Sequence, residues 1–172
     1  LHLSRTAQAG QVRSPVRAAL DAALHDSPDS PVAALLAAEN SSGGDKLAHL
    51  RRAVDLATDW GCAWHDLARA LPDDTPDKAT AWQATQRCAS AHLVRAAQQQ
   101  IQPDQFVYQA LFESQHALGA TAAAHDTLEQ WEASLNRPYT AQERIKLARA
   151  YLQAKRAEDS ARHLRLALVK AD

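Results

Sequence analysis

One short phrase, said three times, constrains this chain more than any other feature. His49-Leu50-Arg51-Arg52-Ala53-Val54 returns as His92-Leu93-Val94-Arg95-Ala96-Ala97, and again as His163-Leu164-Arg165-Leu166-Ala167-Leu168. Fainter echoes keep only the apolar beats: Leu20, Ala23 and Leu24 near the start, Leu128 and Trp131 later. Marked by their leading leucines, the copies fall at 20, 50, 93, 128 and 164, with steps of 30, 43, 35 and 36 residues. Self-similarity at such a period predicts a helical repeat array. A lone helix hairpin cannot bury both its faces, whereas hairpins stacked in register share one core.

Composition agrees with helices. Alanine makes up more than a fifth of the 172 residues and there are only five glycines. Alanine costs least to place in a helix, and residues that favour strands are thin here. The formal charge of −1 implies no bulk attraction to nucleic acid or to an anionic membrane. No apolar run approaches the roughly 18 residues of a membrane span, so this segment is not expected to insert into a bilayer. The chain opens Leu1-His2-Leu3 and has no methionine, so it is expected to be a processed or excised piece of something longer. Ala7-Gln8-Ala9 has the small-x-small form of a signal cleavage site, yet no apolar core precedes it. Two cysteines are too few for a disulfide framework and do not fix the compartment.

Local punctuation then divides the chain. Residues 1–13 are polar and aperiodic and are expected to fray, with the helical repeats filling 14–172 as one domain. Ser14-Pro15 is a helix entry, a cap followed by proline at the first helical position, and that helix should reach His25. A short helix is expected over Pro31–Glu39. Another runs from a cap at Asp45 to about Thr58, with a stripe of Leu47, Leu50, Ala53, Val54 and Ala57. Cys62–Leu71 carries Ala63, Trp64, Leu67, Ala68 and Leu71. From Asp77 to about Gln100 there is no breaker, which predicts one long helix, with a break near Ser90 as the alternative. Helices over Asp104–Leu118 and Ala120–Leu135 follow, and Asn136-Arg137-Pro138 is the next stop. Thr140 and Glu143 form a capping box ahead of Ala141–Ala154, whose expected stripe is Ile145, Leu147, Ala148, Tyr151 and Leu152. The last helix covers about Glu158–Lys170.

The hairpins resemble tetratricopeptide repeats. The clearest match is Leu147, Ala148 and Tyr151 with Ser160, Leu164, Ala167 and Leu168. Residues 105–138 supply Tyr108, Leu111, Gly119, Ala124 and Leu128. Residues 61–101 supply Trp64, Leu67, Ala68 and Leu71, then Ala89, Leu93 and Ala96. The copies are degenerate: Phe112 stands where that family prefers a small residue, Trp131 where it prefers alanine, and the Trp64 hairpin carries an insertion. The resemblance implies an all-α fold, a right-handed superhelical array of antiparallel helix hairpins. It also implies a concave groove lined by the first helices. On the matching hairpins the lining would be His65 and Arg69, then Gln109, Glu113 and His116, then Gln142, Arg149 and Gln153. Such a groove holds a protein or peptide partner in extended or helical form; the same residues would also make an ordinary solvated face.

Cys62 and His65 with Cys88 and His92 contain the donor types of a two-Cys, two-His metal site. Across the hairpin turn near Asp74, Cys62 falls opposite about residue 86, so a Cys62–Cys88 contact fits better than four converging ligands. Two buried small side chains, a disulfide in an oxidising compartment and a metal site are the alternatives, with the metal site the least expected. The three histidines of the phrase are expected to hold equivalent places at the rim of the core. No Gly-rich phosphate loop, G-x-S-x-G or H-E-x-x-H occurs, and no cofactor or catalytic role is expected. The expectation is a non-catalytic interaction scaffold. By what such arrays often do, it would serve a bacterial envelope or export assembly for polysaccharide or protein, periplasmic rather than cytoplasmic. The alternatives are a regulatory peptide-binding module and a structural spacer that self-associates through the ends of the array.

Overall fold

A computed structural model describes Ala19, Ala22, Ala23 and residues 25–134 and 140–169. The frayed start over 1–13, the helix entry at Ser14-Pro15 with Val16, Leu20 and Leu24, and the stop at Asn136-Arg137-Pro138 lie outside those residues. Eight helices can be bounded and no strand occurs among the described residues. They are α1 (Pro31–Glu39), α2 (Gly43–Leu56), α3 (Gly61–Ala70), α4 (Pro76–Gln98), α5 (Gln105–Ala117), α6 (Thr121–Ser134), α7 (Ala141–Gln153) and α8 (Ala157–Leu168). No described helix is long and apolar enough to cross a membrane. The chain divides into two compact units, residues 1–71 and 72–172. The boundary falls inside the Trp64 hairpin, so its two helices, expected to pair, belong to different units.

In the first unit α2 packs against both α1 and α3. Ser30 caps α1 by accepting the Ala33 N–H at 3.2 Å, and Pro31 fills the first helical position, where no N–H is needed. This helix buries only alanines (Ala33, Ala34, Ala37 and Ala38), while Val32 and Leu36 face outward. Small side chains let the two helix backbones approach closely, and dispersion across that contact replaces a leucine stripe. Helix α2 starts two residues before the expected cap, placing Asp45 in its first turn, where a carboxylate favours the helix dipole. The Trp64 indole N–H donates to the Thr58 carbonyl at 2.9 Å and closes the turn into α3.

In the second unit α4 runs 23 residues without a break, which removes the alternative at Ser90. Packing is sequential: α4 on α5, α5 on α6, α6 on α7 and α7 on α8, with α5 also reaching α7. Tyr108, Phe112, Ala124, Leu128, Trp131, Leu147, Ala150 and Tyr151 form one core, with Leu93 of α4 packed against it. The α5–α6 and α7–α8 hairpins repeat each other at a step of 36 residues. Gly119 and Lys155 take the same left-handed conformation, φ 75° and 60°. The Ala120 N–H then reaches back to Gln115 O at 2.8 Å, and the Arg156 N–H to Tyr151 O at 2.9 Å. These are Schellman endings, and α4 closes the same way through Gln100 (φ 55°) and the Ile101 N–H to Ala96 O. A side chain at that conformation is unfavourable, since its Cβ crowds the backbone. Lys155→Gly is therefore expected to raise stability by about 0.5–1 kcal/mol in urea denaturation.

The repeated phrase does not keep one orientation. Leu50 is 1% exposed but Leu164 is 45% exposed, whereas His163 is 1% exposed and His92 lies on the surface. The expectation that the three histidines occupy equivalent places is thus corrected. Helix α8 turns a different edge of the phrase toward its core, so the histidine is buried there and the leucine is not. What stays buried in all three copies is the alanine four positions after the histidine: Ala53, Ala96 and Ala167. Ile145 and Leu152, expected in the core stripe of α7, are exposed at the surface instead, because Leu147, Ala148, Ala150 and Tyr151 already fill the buried face.

Candidate functional site

The expected groove residues fall into two groups. His65 and Arg69 lie in the first unit, and the others on α5 and α7 of the second. His65 is 1% exposed, so it cannot line an open surface; it sits one turn before buried Ala68 with its Nδ1 3.5 Å from the Asp66 carboxylate. Arg69 is exposed. On α5 the Gln109 amide donates to Glu113 Oε1 at 2.8 Å, and the exposed His116 ring stacks on Phe112 with centroids 5.7 Å apart. On α7 Gln142, Arg149 and Gln153 are all exposed. They share one helix face with Lys146, also exposed, which the sequence reading did not single out.

Helices α5 and α7 start side by side. Asp104 caps α5 by accepting the Phe106 N–H at 2.7 Å. Thr140 caps α7 through the capping box expected from sequence: its hydroxyl accepts the Glu143 N–H, and Glu143 Oε2 accepts the Thr140 N–H at 2.7 Å. The other oxygen of Glu143 accepts from the Gln105 side-chain amide, tying the two first turns together. Between them opens a cleft of about 500 Å³ lined by Gln102, Pro103, Asp104, Gln105, Thr140, Gln142, Glu143 and Lys146. Of the expected set, only Gln142 belongs to this lining. The signal that could have found the cleft is the spacing of the caps, since Asp104 and Thr140 stand one 36-residue step apart. Amide side chains offer a donor and an acceptor each, matching a peptide backbone, and Lys146 supplies a cation. Asp104 is engaged at its own helix end, and Glu143 divides its two oxygens between its own cap and Gln105.

Cys62 and Cys88 are half-buried thiols, one in each unit. Among the described residues no group of three or more His, Cys, Asp or Glu side chains is placed to hold a metal ion.

A second polar cluster joins α6, α7 and α8. The Tyr151 hydroxyl donates to Glu132 Oε2 at 2.6 Å, Arg162 lies 3.0 Å from Glu132 Oε1, and His163 Nε2 lies 3.4 Å from that oxygen. The Tyr151 and His163 rings stack at 5.4 Å, and the Arg156 guanidinium covers Tyr151 at 5.0 Å while pairing with Glu129 and Asp159. Burial and then the Glu132 carboxylate push the Tyr151 phenol far above its ordinary range. Burial would raise Glu132 as well, but Tyr151, His163 and Arg162 together outweigh it and hold the carboxyl below the usual value. Burial depresses His163, with Arg162 and Arg144 adding to it against the pull of Glu132. Tyr151 and His163 are each 1% exposed, while Glu132 is half-buried and Arg162 reaches the surface, so the cluster closes the seam between hairpins with its charged edge toward solvent. It repeats an earlier pairing: Gln115 and Thr127, one step of 36 residues before Tyr151 and His163, hydrogen-bond at 2.7 Å.

No protein-family model matches the chain, and no curated protein sequence matches it.

Proposed function

We propose that this chain is a non-catalytic scaffold, a degenerate array of tetratricopeptide type whose hairpins stack into a right-handed superhelix, and that it holds a segment of another protein. The repetition of turn, cap and cross-hairpin pair at 36 residues supports the stacked-hairpin reading. One observation carries the binding reading: α5 and α7 present their first turns together around an open polar cleft that continues into an amide and cationic stripe. The stripe is Gln142, Lys146, Arg149 and Gln153, spaced to follow one face of α7. Its chemistry fits an extended peptide whose backbone meets the glutamines and whose carboxylates meet Lys146 and Arg149. The envelope and export role rests on the family resemblance alone.

The test is fluorescence anisotropy with labelled acidic peptides selected on an array against the 172-residue chain. Lys146→Glu with Arg149→Glu is expected to weaken binding by about tenfold or more, and added salt to weaken it further. Unchanged affinity in the double variant would sink the proposal.

A further inference from the structure

The extra length of α4 builds a second cleft. The repeated phrase begins at the seventh residue of α2 and of α8 but at the seventeenth of α4, so ten residues at the front of α4, 76–85, are additional. They add roughly 15 Å of helix. Insertions in helical repeats often gather on a binding face. Lys78, Ala79 and Trp82 of this extension, with Asp73 from the turn before it and Ala117 and Leu118 from the end of α5, line a cleft of about 310 Å³. Three of those side chains stand there only because α4 is extended.

We propose that this cleft holds a free α-amino acid with an apolar side chain. Its volume is at the small end of ligand pockets. Trp82, Leu118 and the two alanines supply apolar walls, and the polar rim is one ion pair. Lys78 Nζ lies 2.6 Å from the Asp73 carboxylate, with the lysine side chain 19% exposed and the aspartate 98% exposed. The ammonium is thus held by packing, while the carboxylate stands in water, where such a pair opens at little cost. A ligand with a single charge fits this rim badly. A lone carboxylate would displace Asp73 and add to Asp74 and Asp77, both exposed nearby, and a lone ammonium would meet Lys78. An amino acid carries both charges close together. Its carboxylate meets Lys78 and its ammonium meets Asp73, so the four charges alternate. Its side chain then covers the apolar wall that Asp73 leaves open. This cleft shares no lining residue with the α5–α7 cleft, so the two sites are independent.

Chemical-shift titration of the isotope-labelled chain with L-phenylalanine and with L-leucine tests this, circular dichroism checking that each variant keeps its helices. Saturable shifts are expected at millimolar ligand, grouped on Lys78, Ala79, Trp82 and Leu118. Lys78→Gln and Asp73→Asn should each weaken binding about fivefold or more. N-acetyl-phenylalanine amide, which carries neither charge, should bind about tenfold more weakly than phenylalanine. Ala79→Leu, at an exposed helical position that accepts leucine readily, should fill the cleft and abolish the shifts. A wild-type chain that gives no saturable shift with either amino acid would overturn the proposal, as would undiminished binding to the Ala79→Leu variant. Equal binding of the uncharged derivative would overturn the assignment to an amino acid.

Discussion

Trp131→Ala should lower the stability of the second unit by about 3–5 kcal/mol. Trp131 is 1% exposed and lies at the centre of the core shared by α5, α6 and α7. Its removal loses the transfer energy of a large ring and leaves a cavity between helices that Phe112 and Leu128 cannot fill without moving. Because a domain is stable by only roughly 5–15 kcal/mol, that loss should be plain as an early unfolding transition in urea. Trp131→Phe is the informative control. The indole N–H finds no acceptor among the described residues, so phenylalanine discards a buried polar group along with some volume. Its cost should be below about 1.5 kcal/mol. A Trp131→Ala variant within 1 kcal/mol of the parent, on the order of an ordinary surface substitution, would mean that the two hairpins are not packed on this residue.

The second expected effect is with pH. His163 and Glu132 both have folded-state pKa values held below their ordinary ones, 6.5 and 4.5. The unfolded chain therefore binds protons more readily than the folded one, and acid favours unfolding. The histidine's contribution is complete above about pH 6.5 and is lost as pH falls through that value toward the folded pKa. The glutamate's is complete above 4.5 and is lost below it. Each unit of depression is worth about 1.4 kcal/mol, and the two losses follow one another. Urea midpoints measured from pH 8 to 4 should therefore fall in two stages. His163→Gln should flatten the first stage and leave the second. An unchanged midpoint between pH 7.5 and 5 would show that His163 is not held neutral by its surroundings.

Much of the secondary structure could be read from the sequence because its signals are local. Ser30-Pro31, Asp104, and Thr140 with Glu143 each mark a helix start through bonds within three residues, and all are made. The unbroken run after Asp77 correctly gave the long α4. The roll of each helix about its axis was not legible. Leu50 and Leu164 sit in the same hexapeptide phrase, yet one is buried and the other half exposed, because burial depends on which neighbour the helix meets. His65 was misplaced for the same reason. The Glu132 seal needs α7 and α8 to return to α6, a contact across 19 to 31 residues that no local pattern encodes. Of the cleft lining only Gln142 was anticipated, while Lys146 and the Gln105–Glu143 tie depend on α5 and α7 starting side by side.

Amide chemical-shift mapping of the isotope-labelled chain with an array-selected acidic peptide tests the binding claim most directly. The account predicts saturable shifts grouped on Gln105, Gln142, Lys146 and Arg149, at the α5–α7 face. Shifts grouped on another surface, or none with any selected peptide, would contradict it.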